Sequence, residues 1–522
     1  MAHDPHSPGT GMARALAPAD PAPAGTTPPA GPAPVTLDNG APLDERGAAW
    51  LDALQGNILR GHGRSDGLHL FLRLPDDTAA AGRLLADLTR DHVTSAARQY
   101  RELQRHRRFG IPGGVFGTLA LSASGYERLG RPVATLFPPQ RIDDEPVPEH
   151  SLFALGMRRS HKALGDRSHA QWEAAYREGA IDALLILADN DRARLLAAAA
   201  RACDAIEHAG GAIVGVERGQ VKRNEAKEAV EHFGFVDGRS QPLFLADDFQ
   251  KRGAEARSTT HWHPFEPLRR VLVPDPAMAG TDTRCFGSFL VFRKLQQNVR
   301  QFRTQLGRIA DALQLPGSEE ERLDRAGALV VGRFKDGTPI EQQDHPGGDP
   351  RQTNDFTYAH DVRGGRCPMH AHIRKVNPRG HSLRDGETLE VERRHMIARR
   401  SLTYDDRPPE ERSDALPDTG VGVLFMCYQA SLELQFAFMQ QRWCGTAWFP
   451  QAGVGVDALV GLDDPREIAA AHDGHANESH DHDWPAAYGA DPSTRAPFAS
   501  CIDTLGGEFF FVPSVPFLQS LG

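Results

Sequence analysis

The feature that most constrains this chain is a strand-and-helix series that occurs twice. In the first series Leu68–Leu74 (LHLFLRL), Val115–Leu121, Ala183–Ala188 (ALLILA) and Ala212–Val216 read as strands. Ala80–Thr89, Ser124–Leu129 and the Ala/Leu/Arg-rich Asp191–His208 carry the 3.6-residue period of helices. The second series sets strands at Cys285–Phe292 (CFGSFLVF), Val421–Tyr428 (VGVLFMCY) and Glu508–Val512 (EFFFV), with helices at Leu295–Leu313 and Leu432–Gln441. Strands and helices in this order predict a split β-α-β arrangement, an antiparallel sheet with helices on one face. The fold class is therefore α+β, with two ferredoxin-like domains expected over residues 46–219 and 220–522.

At 522 residues the chain is long enough for more than one core. Its first 34 residues contain 18 Ala or Pro and no aromatic side chain, so they cannot offset their ordering entropy by burial, and residues 1–45 are expected to form a disordered tail. No run approaches the length of a membrane-spanning helix, and the mean hydropathy is −0.45. The net charge of −10, with basic residues scattered, speaks against nucleic acid as a partner. Six cysteines form no CxxC or CxxCH and fit reduced thiols. With neither a signal peptide nor a twin-Arg motif, a cytoplasmic location is expected. Gly63–Gly67 (GRSDG) matches GxSxG but precedes a strand, whereas a nucleophile elbow follows one, so it reads as a polar turn.

Three segments carry candidate chemistry. In Phe233–Pro242 (FGFVDGRSQP), Gly234 and Gly238 bracket Asp237 and would hold one carboxylate in a fixed direction; the plain alternative is a turn whose Asp accepts a backbone N–H. Cys367–Arg379 (CPMHAHIRKVNPR) offers His370 and His372 as imidazole ligands, followed by Arg374 and Arg379, which suit acidic groups of a cofactor; otherwise it is a basic surface turn. His395–Asp405 (HMIARRSLTYD) places tandem arginines where one guanidinium could face a developing oxyanion. All three lie in or beside irregular stretches, and the long one from Arg333 to Asp418 is of a kind more often functional than idle.

In this order the three segments resemble the dye-decolorizing (DyP-type) peroxidase family, with its GxxDG motif, its HIRKxNPR-like proximal segment and its later RRxxxY-like segment. Leu54–Leu74, Gly287–Val299 and Phe425–Gln440 look like that family too, and the likeness, closest to longer bacterial and fungal members, runs from Trp50 to Pro516. The resemblance implies one haem b per chain, held non-covalently and mainly by the second domain. It implies His372 as proximal iron ligand with His370 as second choice, Asp237 as distal acid, and Arg399 rather than Arg400 as distal arginine. Arg374 and Arg379 fall on positions that meet haem propionates, and Glu433 is the candidate partner for the second nitrogen of His372. The implied reaction is reduction of hydrogen peroxide with oxidation of dyes, phenols and other aromatic donors through a ferryl intermediate.

The alternatives are haem binding or delivery without turnover, and an interaction module without haem. Tyr358, Tyr404, Trp443 and Trp448 are candidates for electron transfer to bulky donors. His472–Trp484 (HDGHANESHDHDW) could bind a divalent metal or be a polar surface insertion. The expected partners are hydrogen peroxide and small aromatic reductants, with the chain a monomer or homo-oligomer.

Overall fold

The protein was analysed as a computed structural model that describes residues 35–140, 149–166, 169–255, 261–281, 284–349, 353–383, 387–461 and 481–522. The first half has strands β1 (Asp66–Arg73), β2 (Phe116–Leu121), β3 (Ala183–Asp189) and β4 (Ala212–Gln220), with helices α1 (Thr78–His92), α2 (Ala96–Phe109) and α3 (Arg192–His208). Their spatial order is β4-β1-β3-β2, all antiparallel, which is the arrangement of a ferredoxin-like sheet. Asp77 and Asp191 cap α1 and α3 through their carboxylates, satisfying N–H groups that a helix start leaves open.

The second half repeats this order. Strands β5 (Phe286–Gln297), β6 (Ala398–Arg399), β7 (Leu402–Asp405), β8 (Val421–Gln429) and β9 (Ile502–Val512) give β9-β5-β8-β7, with the two residues of β6 on the free part of β8. Helices α4 (Val299–Ala312) and α5 (Glu319–Val331) cover one face. The strand β7 was not foreseen, because four residues beside tandem arginines show no alternation to read. The helix expected from Leu295 begins at Val299, since Leu295–Gln297 still pair with β8 and β9.

The two sheets join at both ends, β2 to β9 at Leu121–Phe511 and β4 to β7 at Gln220–Thr403, so eight strands close into one ring. Phe71, Phe292 and Phe510 meet inside it, with Phe71 and Phe292 centroids 4.9 Å apart. Full burial of each such side chain stabilises the fold by about 1.5–3 kcal/mol. Lys294 bridges the halves from within, its Nζ 2.9 Å from Glu217 of β4 and 2.9 Å from Asp406.

Part of the span expected as a disordered tail, residues 1–45, is packed against the fold. Residues 1–34 lie outside the described residues, but Leu43 pairs with Leu245 and donates its N–H to Phe244 at 2.8 Å, and Glu45 is buried. All six cysteines are unbridged, and no helix among the described residues is long and apolar enough to cross a membrane.

Candidate functional site

Side chains alternate along a strand, so the ring's sheet has an inner face and an outer one. On β5, Phe292 and Lys294 point into the ring while Arg293, Leu295 and Gln297 face outward; on β8 the outward residues are Val423 and Phe425. With Arg399 and Ser401 these residues form one wall of a cavity of about 570 Å³. The opposite wall is a short helix, α6 (His372–Val376), backed by Met439, Cys444, Leu459 and Val460. A volume of this size suits an organic cofactor with its substrate.

Asp237, Arg399, His372 and Arg379, taken from three segments of the sequence, all line this cavity. Gly238 follows Asp237 at φ +77°, a conformation glycine adopts without strain, and its N–H donates to Asp237 Oδ1 at 2.6 Å. The Asp237 carboxylate is thus held by its own turn while also lying 3.4 Å from Arg399 Nη1. Gln241 ties the two segments together, its Oε1 accepting the Arg399 backbone N–H at 3.1 Å. Arg400 points elsewhere: its guanidinium donates to the carbonyls of Asn57, Ile58 and Arg399 at 2.8–2.9 Å, which fixes the backbone from which Arg399 projects.

On the other wall, His372 Nδ1 bonds Asp457 Oδ2 at 2.8 Å, which leaves Nε2 as the nitrogen for a ligand bond. Asp457 is fully buried. Burial pushes its carboxyl up, but the His372 ring and the backbone N–H groups of Val460 and Leu459 outweigh this and hold it below its ordinary value. The wall is placed by close packing. Gly332, at φ +96°, ends α5, and a Cβ there would fall 2.3 Å from Ile373, the residue after His372.

Two further arginines line the cavity in an unusual state. Arg379 is buried and donates to the carbonyls of Asn354 and Phe356, to Asn354 Oδ1 and to Ser240 Oγ, while its guanidinium lies over Phe356 at 3.9 Å. Arg333, also buried, donates to the carbonyls of Gly337 and Thr353 and to the same Ser240 hydroxyl. Neither has a carboxylate within ion-pair distance among the described residues. Burial pushes Arg379 down to about 9 and Arg333 down to about 10.

No family model matches the chain. The multifunctional dye peroxidase DyP2 of Amycolatopsis sp. is 37% identical over 484 residues, covering 91% of this chain and 96% of that protein. The chain belongs to the dye-decolorizing (DyP-type) peroxidase family. Among solved structures, a DyP-type peroxidase from Anabaena sp. superposes with a TM-score of 0.81 at 35% identity, covering 92% of this chain and 97% of that one. A dye-decolorizing peroxidase solved with 2,6-dimethoxyphenol shares the fold at 23% identity, with a TM-score of 0.68 over 90% of this chain and 98% of that one.

Two DyP-type assignments drawn from the sequence do not fit this geometry. Arg374 is fully buried outside the cavity lining, paired with Asp361 at 2.8 Å and seated over the Tyr358 ring at 4.3 Å. Helix geometry explains this: two residues along a helix turn a side chain by about 200°, so Arg374 faces away when His372 faces the cavity. Glu433 is not the partner of His372. Its carboxylate accepts the Leu152 N–H at 2.8 Å, and burial pushes it above its ordinary value. Asp457 fills that role and went unread, although a lone carboxylate in the apolar run Gly455–Gly461 (GVDALVG) signals a buried, paired acid. Arg333, next to the apolar end of α5, was missed likewise.

His370 points away from the cavity, stacked on His482 at 4.2 Å and edge-on to Trp484 at 4.4 Å. Of the candidate electron-transfer residues, Tyr358, Tyr404 and Trp443 are buried and Trp448 is 59% exposed. The His-rich segment lies outside the described residues up to residue 480, and His482 and Trp484 beyond it are buried.

Proposed function

We propose that the cavity holds one haem b per chain, with His372 Nε2 as the ligand to its iron and Arg379 and Arg333 as partners of the propionates, and that the enzyme reduces hydrogen peroxide while oxidising phenols and dye-like aromatics. Membership of the DyP-type family makes it a haem peroxidase. The observation that carries the site assignment is the meeting, in one cavity, of an Asp457-bonded histidine on one wall with an Asp–Arg pair on the other. The lining also fits the cofactor: its walls are apolar, and its two carboxylate-free guanidiniums match the two propionates in charge.

When bound, the haem supplies the electrons that break the O–O bond. Asp237 takes a proton from one peroxide oxygen and returns it to the other as that oxygen departs. Arg399 stabilises the negative charge that builds on the leaving oxygen. His372, kept electron-rich by the Asp457 carboxylate, would be the stronger ligand for it. Haem delivery alone would require neither Asp237 nor Arg399.

The test is an absorption spectrum of protein purified with haem supplied, followed by one equivalent of peroxide in a stopped-flow cell. A Soret band that changes rapidly on mixing is expected. A band indifferent to peroxide would instead support haem binding without turnover.

A further inference from the structure

The cavity runs on from Asp237 and Arg399 to a second polar end, lined by Asp166, Gln171, Arg293, Asp503 and Thr504. The Asp166 and Arg293 side chains are 6% and 5% exposed. Arg293 Nη2 donates to Asp166 Oδ1 and, at 2.8 Å, to the Thr504 hydroxyl. Asp166 Oδ2 and Arg293 Nε have no partner among the described residues, so each of these buried groups keeps one bonding direction unused. The peroxide chemistry above employs neither.

Strand register places this end relative to the peroxide site. Arg293 on β5 pairs with Phe425 of β8, whereas Arg399 pairs with Cys427 from the other side of β8. Two strand spacings across and two residues along separate their Cα atoms by roughly 12 Å. The wall around Arg293 carries Leu295, Phe425 and Phe436, the last with its ring 5.7 Å from the Arg293 guanidinium. An apolar wall that ends at a buried carboxyl group with one oxygen unpartnered among the described residues matches a molecule with an aromatic ring and an O–H donor.

We propose that this end is a subsite for phenolic donors and that Asp166 Oδ2 accepts their proton. The proposal rests on the peroxidase reading above. A phenol that gives up one electron becomes strongly acidic, so its oxidation is easiest when the proton leaves with the electron. The electron reduces the enzyme that peroxide has oxidised, the O–H bond breaks, the proton goes to Asp166, and a neutral phenoxyl radical departs. Asp166 then returns the proton to solvent. Burial pushes the Asp166 carboxyl up against the pull of Arg293, which makes it a better proton acceptor than a free carboxylate.

The test compares 2,6-dimethoxyphenol, which must lose a proton, with ABTS, which gives up an electron alone, in the haem-loaded wild type, Asp166→Asn and Asp166→Glu. Asp166→Asn should lower the ratio of phenol to ABTS kcat/KM about tenfold, and Asp166→Glu should restore most of it. Wild-type turnover of the phenol, and not of ABTS, should slow in deuterated water. An unchanged ratio, or equal losses on both donors that Glu does not restore, would make Asp166 a structural partner of Arg293 and overturn the proposal. A wild type that turns over neither donor would overturn the peroxidase reading and this inference with it.

Discussion

Replacing Arg399 with Leu tests the distal assignment most directly. Arg399 Nη1 lies 3.4 Å from Asp237 Oδ1, so in the proposed reaction this guanidinium would sit where charge develops during O–O cleavage. A unit charge acting over that distance at an effective dielectric constant near 20 is worth about 4.9 kcal/mol. Only part of this lowers the barrier, because the same cation already attracts Asp237 in the resting state and is partly exposed. Taking half leaves about 2.5 kcal/mol, a slowing of about 70-fold, of the same order as the loss of one oxyanion donor. The assay is the second-order rate constant for the Soret change with peroxide, at matched haem occupancy. Arg399→Lys, which keeps the charge and loses the fork, should fall between the two. An Arg399→Leu rate within about threefold of wild type would refute the argument, since a barrier-lowering term this size cannot vanish unnoticed.

Four further outcomes follow from the proximal side, from the two reassigned residues and from Arg379. Asp457→Asn removes the negative charge behind His372, so the reduction potential of the bound haem should rise by at least about 59 mV, measured by spectroelectrochemistry; an unchanged potential would mean that Asp457 does not tune the ligand. Arg374→Met breaks a buried pair with Asp361 and should lower stability by about 3–5 kcal/mol while the folded protein keeps its haem affinity. Arg379→Met should do the reverse, weakening haem binding at least about tenfold without destabilising the haem-free protein, because it removes a buried charge that has no carboxylate partner. Glu433 has a folded-state pKa raised by burial, so the native protein binds its proton more tightly than the unfolded chain does, and this carboxyl costs stability as pH rises from its ordinary value of 4.5 through the raised one. Glu433→Gln should therefore gain Tm over wild type progressively across that window and hold the gain at neutral pH, with the haem spectrum unchanged; a Tm difference independent of pH would show that burial does not raise this carboxyl.

Most of the architecture was legible because burial on one or both faces leaves a periodic trace. β1, β3, β5 and β8 each read as apolar runs, and α3 as a helix, and all five exist. What escaped is what periodicity does not encode. Residues Leu402–Asp405 form a strand only because the edges of β4 and β8 are there to pair with, a tertiary cause with no local signature. The motif residues Asp237, Arg399, His372 and Arg379 were identifiable by type and by family likeness, and the fold gathers them into one cavity. Arg374 was misplaced because a linear motif hides the rotation between neighbouring helical residues. The same limit explains the choice of Glu433 over Asp457: the first was sought on a helix following a strand, whereas the carboxylate that reaches His372 lies 85 residues beyond it, in an apolar loop.

The charge balance of the cavity gives its organisation a physical reason. Among the described residues five arginines line it, and three have carboxylate partners: Arg239 with Glu228, Arg293 with Asp166, and Arg399 with Asp237. The remaining two, Arg333 and Arg379, share the Ser240 hydroxyl, and the Arg333 charge lowers the affinity of Arg379 for its proton. At about 10 and about 9 both remain charged at neutral pH, so the haem-free protein carries two like charges side by side in a region poor in water. Carbonyl oxygens and the faces of Phe356 and Trp262 solvate them without neutralising them. A ligand bearing two carboxylates relieves this repulsion, whereas a neutral or cationic one would leave it in place or worsen it. In the proposed reading, selectivity for a dianionic macrocycle would come from this polar end of the cavity, while Asp237 and Arg399, already mutually neutralised, would be free to respond to the small charge shifts of peroxide cleavage.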